Sequence, residues 1–79
     1  MQVNQIEKRK ILRHLGVNLK YYRTKLNLSQ EELAFTIGVE RSYITAIEAG
    51  TKCPSLYCLF LLAKGLKISL NQLVDINID

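Results

Sequence analysis

Four residues along one short stretch, Arg41, Ser42, Thr45 and Ala46, carry the side chains that read base edges in a nucleic-acid duplex. A guanidinium bonds O6 and N7 of guanine together, Ser and Thr hydroxyls serve several bases, and an Ala methyl touches a thymine methyl. Around them, Gln30, Tyr43, Thr51 and Lys52 supply groups suited to phosphate oxygens, with Lys20 and Lys25 as more distant electrostatic candidates. Gln30 stands where a helix would begin, so free backbone N–H groups would add to its amide. The charge is uneven in a way that suits an anionic partner. Residues 1–28 hold seven Lys and Arg against one acid, and residues 29–79 hold four against six. On charge alone, a merely solvated basic helix face is an equal alternative.

Other chemistry finds little support. Cys53 and Cys58 form a C-x4-C spacing, and His14 is the single histidine. A zinc site takes three or four ligands of that kind, so no metal and no cofactor are expected. The two thiols are expected to be free and to pack as small apolar groups. There is no nucleophile–base constellation and no phosphate-cradling Gly loop, so an enzyme is not expected. The longest unbroken apolar run, Leu59 to Ala63, falls far short of the roughly 20 residues of a membrane span. With no apolar N-terminal stretch resembling a signal peptide, the expectation is a soluble cytoplasmic protein that does not engage a membrane.

The elements that must position these residues are helices. The chain has 79 residues, 48% of them apolar and 23% charged, which fits one globular domain and excludes intrinsic disorder. Apolar residues recur at spacings of three and four, with no sustained alternation, which predicts an all-α fold. A first helix is expected over about 5–26, with Ile11, Leu12, Leu15, Leu19, Tyr22 and Leu26 on one stripe. Gly16 reads as a weak spot there, costing up to about 1 kcal/mol against Ala. Ser29-Gln30-Glu31-Glu32 is a capping box opening a helix that carries Leu33, Ala34 and Ile37 and stops at Gly38. The next helix starts near Glu40 or Arg41, carries Ile44 and Ile47, and ends at Gly50. Ser55 is a plausible N-cap for a helix from Leu56 to Lys64 or Leu66, and Ser69-x-x-Gln72 is a second capping box. The tail Asn77-Ile78-Asp79 is expected to fray.

Residues 30–50 then fit a helix-turn-helix. Ala34 is small enough for a close crossing, Gly38 supplies positive φ at the turn, and Leu33, Ile37, Val39, Ile44 and Ile47 hold the pair at its angle. Two ordinary core helices with a Gly turn would not demand Ala34 and Gly38 together. Residues 15–74 resemble the lambda-repressor-like (XRE/Cro) helix-turn-helix family. The matching phrases are Ser29-Gln30-Glu31-Glu32-Leu33-Ala34, Ile37-Gly38-Val39, Ile44-x-x-Ile47-Glu48-x-Gly50, Pro54-Ser55-Leu56, Leu62-Ala63-x-x-Leu66 and Leu70-x-x-Leu73. Glu40-Arg41-Ser42-Tyr43-Ile44 and the small size resemble, within it, the controller proteins of restriction–modification systems.

The resemblance implies a compact five-helix bundle that binds double-stranded operator DNA as a homodimer and regulates transcription, often as a repressor. It also implies an ion pair between Arg23 and Glu48 that holds the recognition helix to the first helix. Three departures stand out: Glu40 where Ser or Thr often caps, Ala49 where Arg or Asn is frequent, and Tyr57-Cys58 in place of a usually polar pair. A carboxylate at position 40 suits the helix dipole better than it suits DNA.

The fourth helix shows two apolar faces, one of Leu56, Leu59, Leu62, Ala63 and Leu66, the other of Tyr57, Phe60 and Leu61. The second, with Leu70, Leu73, Val74 and Ile76, predicts a two-fold dimer through residues 56–78. Such a dimer sets two recognition helices about 34 Å apart, matching a pseudo-palindromic operator. Alternatively, Tyr57 and Phe60 pack on the N-terminal extension. Two other functions share the pattern: an antitoxin-type regulator that also binds a toxin protein, and a protein-interaction module of the same fold without DNA binding.

Overall fold

The computed structural model describes residues 4–76, with side chains from Glu7 onward. Five helices follow one another: α1 (Asn4–Lys25), α2 (Gln30–Ile37), α3 (Arg41–Glu48), α4 (Leu56–Leu66) and α5 (Leu70–Leu73), with no strand among the described residues. The fold is all-α. The C-terminal tail expected to fray lies outside the described residues.

Local chemistry sets the helix boundaries. The Ser29 hydroxyl accepts from the Glu32 N–H at 2.9 Å while Glu32 accepts from the Ser29 N–H at 2.8 Å. That reciprocal bond holds the exposed Glu32 carboxyl below its ordinary value of 4.5, through the Ser29 N–H first and its hydroxyl second. Ser69 and Gln72 repeat the device at α5, and Ser55 caps α4 through the Cys58 N–H. At the other end of α2, Gly38 takes φ 78°, and the N–H of Val39 reaches back to the Ala34 carbonyl at 2.9 Å. That closure turns the chain within two residues and launches α3 across α2.

The core gathers around α3 and α4. Leu19, Leu33, Ile44, Ile47, Leu62, Leu66 and Leu73 are wholly buried, joined by Leu15, Ala34, Cys58 and Ala63. Each such Leu or Ile stabilises the fold by about 1.5–3 kcal/mol relative to an exposed one. The two ends of the α1 stripe outrun this core, leaving Ile11 and Leu26 exposed.

Three expectations need correction. Gly16 is not a weak spot but the point where α1 lies against α3: a Cβ there would sit 2.5 Å from the Glu48 carbonyl oxygen. Leu56 is 65% exposed, and Cys58 takes the inward place, because the first turn of α4 begins beyond the edge of the core. Leu73 is wholly buried, so it cannot face a second copy. Leu70 and Leu73 stand on a single turn, where packing rather than periodicity decides which points inward.

Candidate nucleic-acid interface

A small polar network ties α3 to its neighbours. Arg23 on α1 donates from Nε to Glu48 Oε2 at 2.6 Å and from Nη2 to Glu48 Oε1 at 3.0 Å, a two-pronged pair on the last turn of α3. Its Nη1 donates to the Leu28 carbonyl at 2.7 Å, in the link between α1 and α2. Gln30, on the first turn of α2, donates from Nε2 to Glu48 Oε1 at 3.0 Å and accepts the Thr45 hydroxyl at 2.6 Å. Both charged side chains of the pair are nearly buried, at 10% and 6% exposure. Their geometry satisfies the guanidinium and carboxylate together, which is what makes burying such a pair tolerable.

The opposite side of α3 is open. Arg41, Ser42, Thr45 and Ala49 are exposed and Ala46 is half-buried, while Ile44 and Ile47 on the inner side are wholly buried. Arg41, Ser42, Thr45, Ala46, Ala49 and Thr51 line one shallow concavity along this outer side. An eight-residue helix bared on one side in this way has the dimensions of a rod that fits a major groove. Glu40 is the N-cap but makes no side-chain hydrogen bond, so the first N–H groups of α3 keep no protein cap.

The expected backbone-binding residues fall in different places. Thr51 is exposed just past α3, its hydroxyl donating to the Ala46 carbonyl at 3.1 Å. Lys52 places Nζ 5.4 Å from the centre of the Tyr43 ring, a cation–π arrangement. Tyr43 is half-buried and joins the edge of the core, and the adjacent Cys58 side chain, with burial, pushes its phenol above the ordinary tyrosine range. Lys20 is exposed and, at about 100° per residue, lies on the same line of α1 as Gly16. Lys25 is not brought to this side. It lies half a turn round from the α3 contact, with Nζ 5.3 Å from the Tyr21 ring.

Gln30 does more than its sequence position suggested. A glutamine opening α2 offers an amide to solvent, whereas here that amide bridges Glu48 and Thr45. No spacing announces a bond between residues 15 apart on two helices; only the crossing angle set by Ala34 and Gly38 brings them together. On α4, Leu56, Tyr57 and Phe60 are exposed at 65%, 73% and 54%, so Tyr57 and Phe60 do not pack on α1. Leu61, Leu70 and Ile76 are half-buried and Val74 is 36% exposed. Cys53 is exposed and Cys58 buried, both free thiols. Among the described residues no three His, Cys, Asp or Glu cluster as metal ligands would, and no helix is long and apolar enough to cross a membrane.

Two short helices at a fixed angle, the second bared outward, define a helix-turn-helix protein. The family model described as helix-turn-helix matches residues 19–73, and the chain belongs to this family of transcriptional regulators. An HTH-type transcriptional regulator of Methanocaldococcus jannaschii is 54% identical over 52 residues, spanning 63% of this chain and 79% of that protein. The chain is also similar to restriction–modification controller proteins of known structure. C.AhdI from Aeromonas hydrophila shares 40% identity with a TM-score of 0.77, over 78% of this chain and 94% of that one. C.Esp1396I, solved as a tetramer with its natural 35 base-pair operator, shares 30% identity with a TM-score of 0.70, over 75% of this chain and 78% of that one.

Proposed function

We propose that the protein binds a pseudo-palindromic operator as a homodimer and serves as the controller protein of a restriction–modification system. The outer side of α3 carries this reading: a bared helix of polar and small side chains, fixed from behind by a hydrogen-bonded ion pair. In this reading Arg41 and Ser42 meet base edges, with Thr45 and Ala46 beside them. Thr51, Lys52, Tyr43 and the open N–H groups at the start of α2, beside Gln30, face phosphates. The likeness to C.AhdI and C.Esp1396I supports the controller role, since both are named as such.

The whole chain acts as one DNA-binding domain in the cytoplasm, without enzymatic activity. The second copy docks through residues 56–78, with Leu56, Tyr57 and Phe60 at the centre and Val74 and Ile76 at the side. Leu61 and Leu70 fill the margins, and Leu73 acts only by holding α5 in place. Two-fold symmetry then puts the two α3 helices about 34 Å apart on one face of a duplex.

The experiment is a titration of the duplex lying upstream of the protein's own gene, alongside scrambled duplexes. Arg41→Ala should cost about 1–3 kcal/mol on the cognate duplex and relax preference at one base pair per half-site. An equal loss on every sequence would make Arg41 a phosphate contact, and failure of the wild-type protein to engage any duplex at low salt would end the proposal.

A further inference from the structure

The N-terminal half of α1 lies outside the segment that matches the family model, which begins at residue 19. It is strongly basic. Lys8, Arg9, Lys10 and Arg13 stand against Glu7 alone, and all five are exposed. The ion pair found among the described residues is Arg23–Glu48, so none of these four cations is matched by a carboxylate there. Their position is specific as well. Arg9, Lys10 and Arg13 border one cleft together with Ala49 and Gly50 at the end of α3. The approach is close: a Cβ on Gly50 would stand 3.2 Å from the Arg13 Cα. Ala49 also lines the concavity of the outer α3 side, so the two surfaces are continuous. The last turn of α3 itself ends in Ala49 and Gly50 and presents no polar side chain at that edge.

We propose that Arg9, Lys10 and Arg13 form a second DNA contact, gripping backbone phosphates just outside the base pairs that α3 reads. The inference rests on the operator-binding role proposed above and extends its footprint. Charge complementarity selects the occupant: three unpaired cations, two of them about 6 Å apart along the helix axis, border a groove-binding helix. A contact of this kind adds affinity without sequence preference and lengthens the protected site at each outer end.

The test uses the full chain and its operator. Affinity is measured across a salt series for the wild type, the triple variant R9A/K10A/R13A and the charge-keeping R9K/R13K, with hydroxyl-radical footprints of each complex. The triple variant should lower the steepness of log affinity against log salt by about 2–3, near 0.9 per lost phosphate contact. It should also lose protection at the outer phosphates and keep the wild-type preference among operator sequences. R9K/R13K should retain both the steepness and the outer protection. Trimming the duplex back to the half-sites should reproduce the loss with wild-type protein, a readout independent of any variant's folding. Wild-type binding with unchanged steepness and footprint in the triple variant, and no effect of trimming, would overturn this inference while leaving the operator-binding role standing. A wild type that binds no duplex would overturn both.

Discussion

A single methyl group at position 16 sets local helix preference against tertiary packing, and the two give opposite signs. In an exposed helix interior, Gly→Ala stabilises by about 1 kcal/mol. In the fold, the added carbon would lie 2.5 Å from the Glu48 oxygen, 2.7 Å from the Ile47 oxygen and 2.9 Å from the Glu48 carbonyl carbon. Ordinary contact begins near 3.4 Å, so α1 and α3 must part by nearly an ångström at that point. All three obstructing atoms are backbone, so no side-chain rotation relieves them. Nor is the end of α3 free to slide, because the Thr51 N–H closes onto the Ala46 carbonyl at 3.0 Å and Gly50 abuts the Arg13 backbone. Parting the helices also stretches the bond between Arg23 Nε and Glu48 Oε2.

Overpacking of this kind costs about 1–3 kcal/mol. Partial loss of a hydrogen bond between charged groups adds about 1 kcal/mol, a fraction of its full worth. The helix gain offsets about 1 kcal/mol of that, leaving Gly16→Ala destabilising by about 1–3 kcal/mol. For a chain of this size the melting temperature should fall by roughly 5–20 °C. Thermal unfolding followed by circular dichroism measures it, with Val17→Ala on the exposed side of the same turn as a control that should move little. A Gly16→Ala protein that melts at or above the wild-type temperature would refute the close approach of α1 to α3.

Glu48→Ala strands the Arg23 guanidinium in a nearly buried site and should cost about 3–5 kcal/mol in urea unfolding, whereas Arg23→Met with Glu48→Leu should recover most of that. Equal losses in the single and double variants would show that the pair does not act as a unit. The Glu32 carboxyl titrates below its ordinary 4.5 in the folded chain, so its capping contribution is full above that pH and disappears as pH falls through the lower folded value. The stability gap between wild type and Glu32→Gln should therefore hold steady above pH 4.5 and close below it; a gap that widens in acid would contradict the bond to Ser29. Phe60→Asp and Tyr57→Asp change side chains that are already exposed, so each should shift sedimentation toward the monomer without lowering its melting temperature. An unchanged dimer would move the interface elsewhere.

The sequence was most legible where structure is made locally. Both capping boxes, the Ser55 cap and the turn at Gly38 involve partners no more than five residues apart, and each stands where residue type and spacing place it. The harder features join distant segments. Gly16 meets Glu48 across 32 positions, and a pattern of threes and fours sees only a poor helix former there. The inward line of α4 runs through Cys58, Leu62 and Leu66, a spacing of four that the richer run of leucines at 56, 59, 62 and 66 obscures. The Arg23–Glu48 geometry came with the resemblance to a family rather than from the spacing of the two residues. Gln30 carried a signal that pointed outward to phosphate, and packing turned its side chain toward Glu48 and Thr45.

That last difference bears on how α3 would read DNA. The Thr45 hydroxyl has one proton, and it is committed to Gln30 at 2.6 Å. Donating to a base would require breaking that bond and leaving the Gln30 oxygen to water, so Thr45 contributes to recognition chiefly as an acceptor or by its methyl group. Arg41 and Ser42 have no hydrogen bond from their side chains to the rest of the protein among the described residues. Their donors reach a duplex at no structural cost beyond ordering the side chains. Discrimination between operators should therefore concentrate at the base pairs facing the first turn of α3. Thr45→Val, which keeps the shape and removes the hydroxyl, should loosen the α2–α3 crossing more than it alters base preference. A Thr45→Val protein with wild-type stability and a changed preferred sequence would show instead that the hydroxyl leaves Gln30 to reach the DNA.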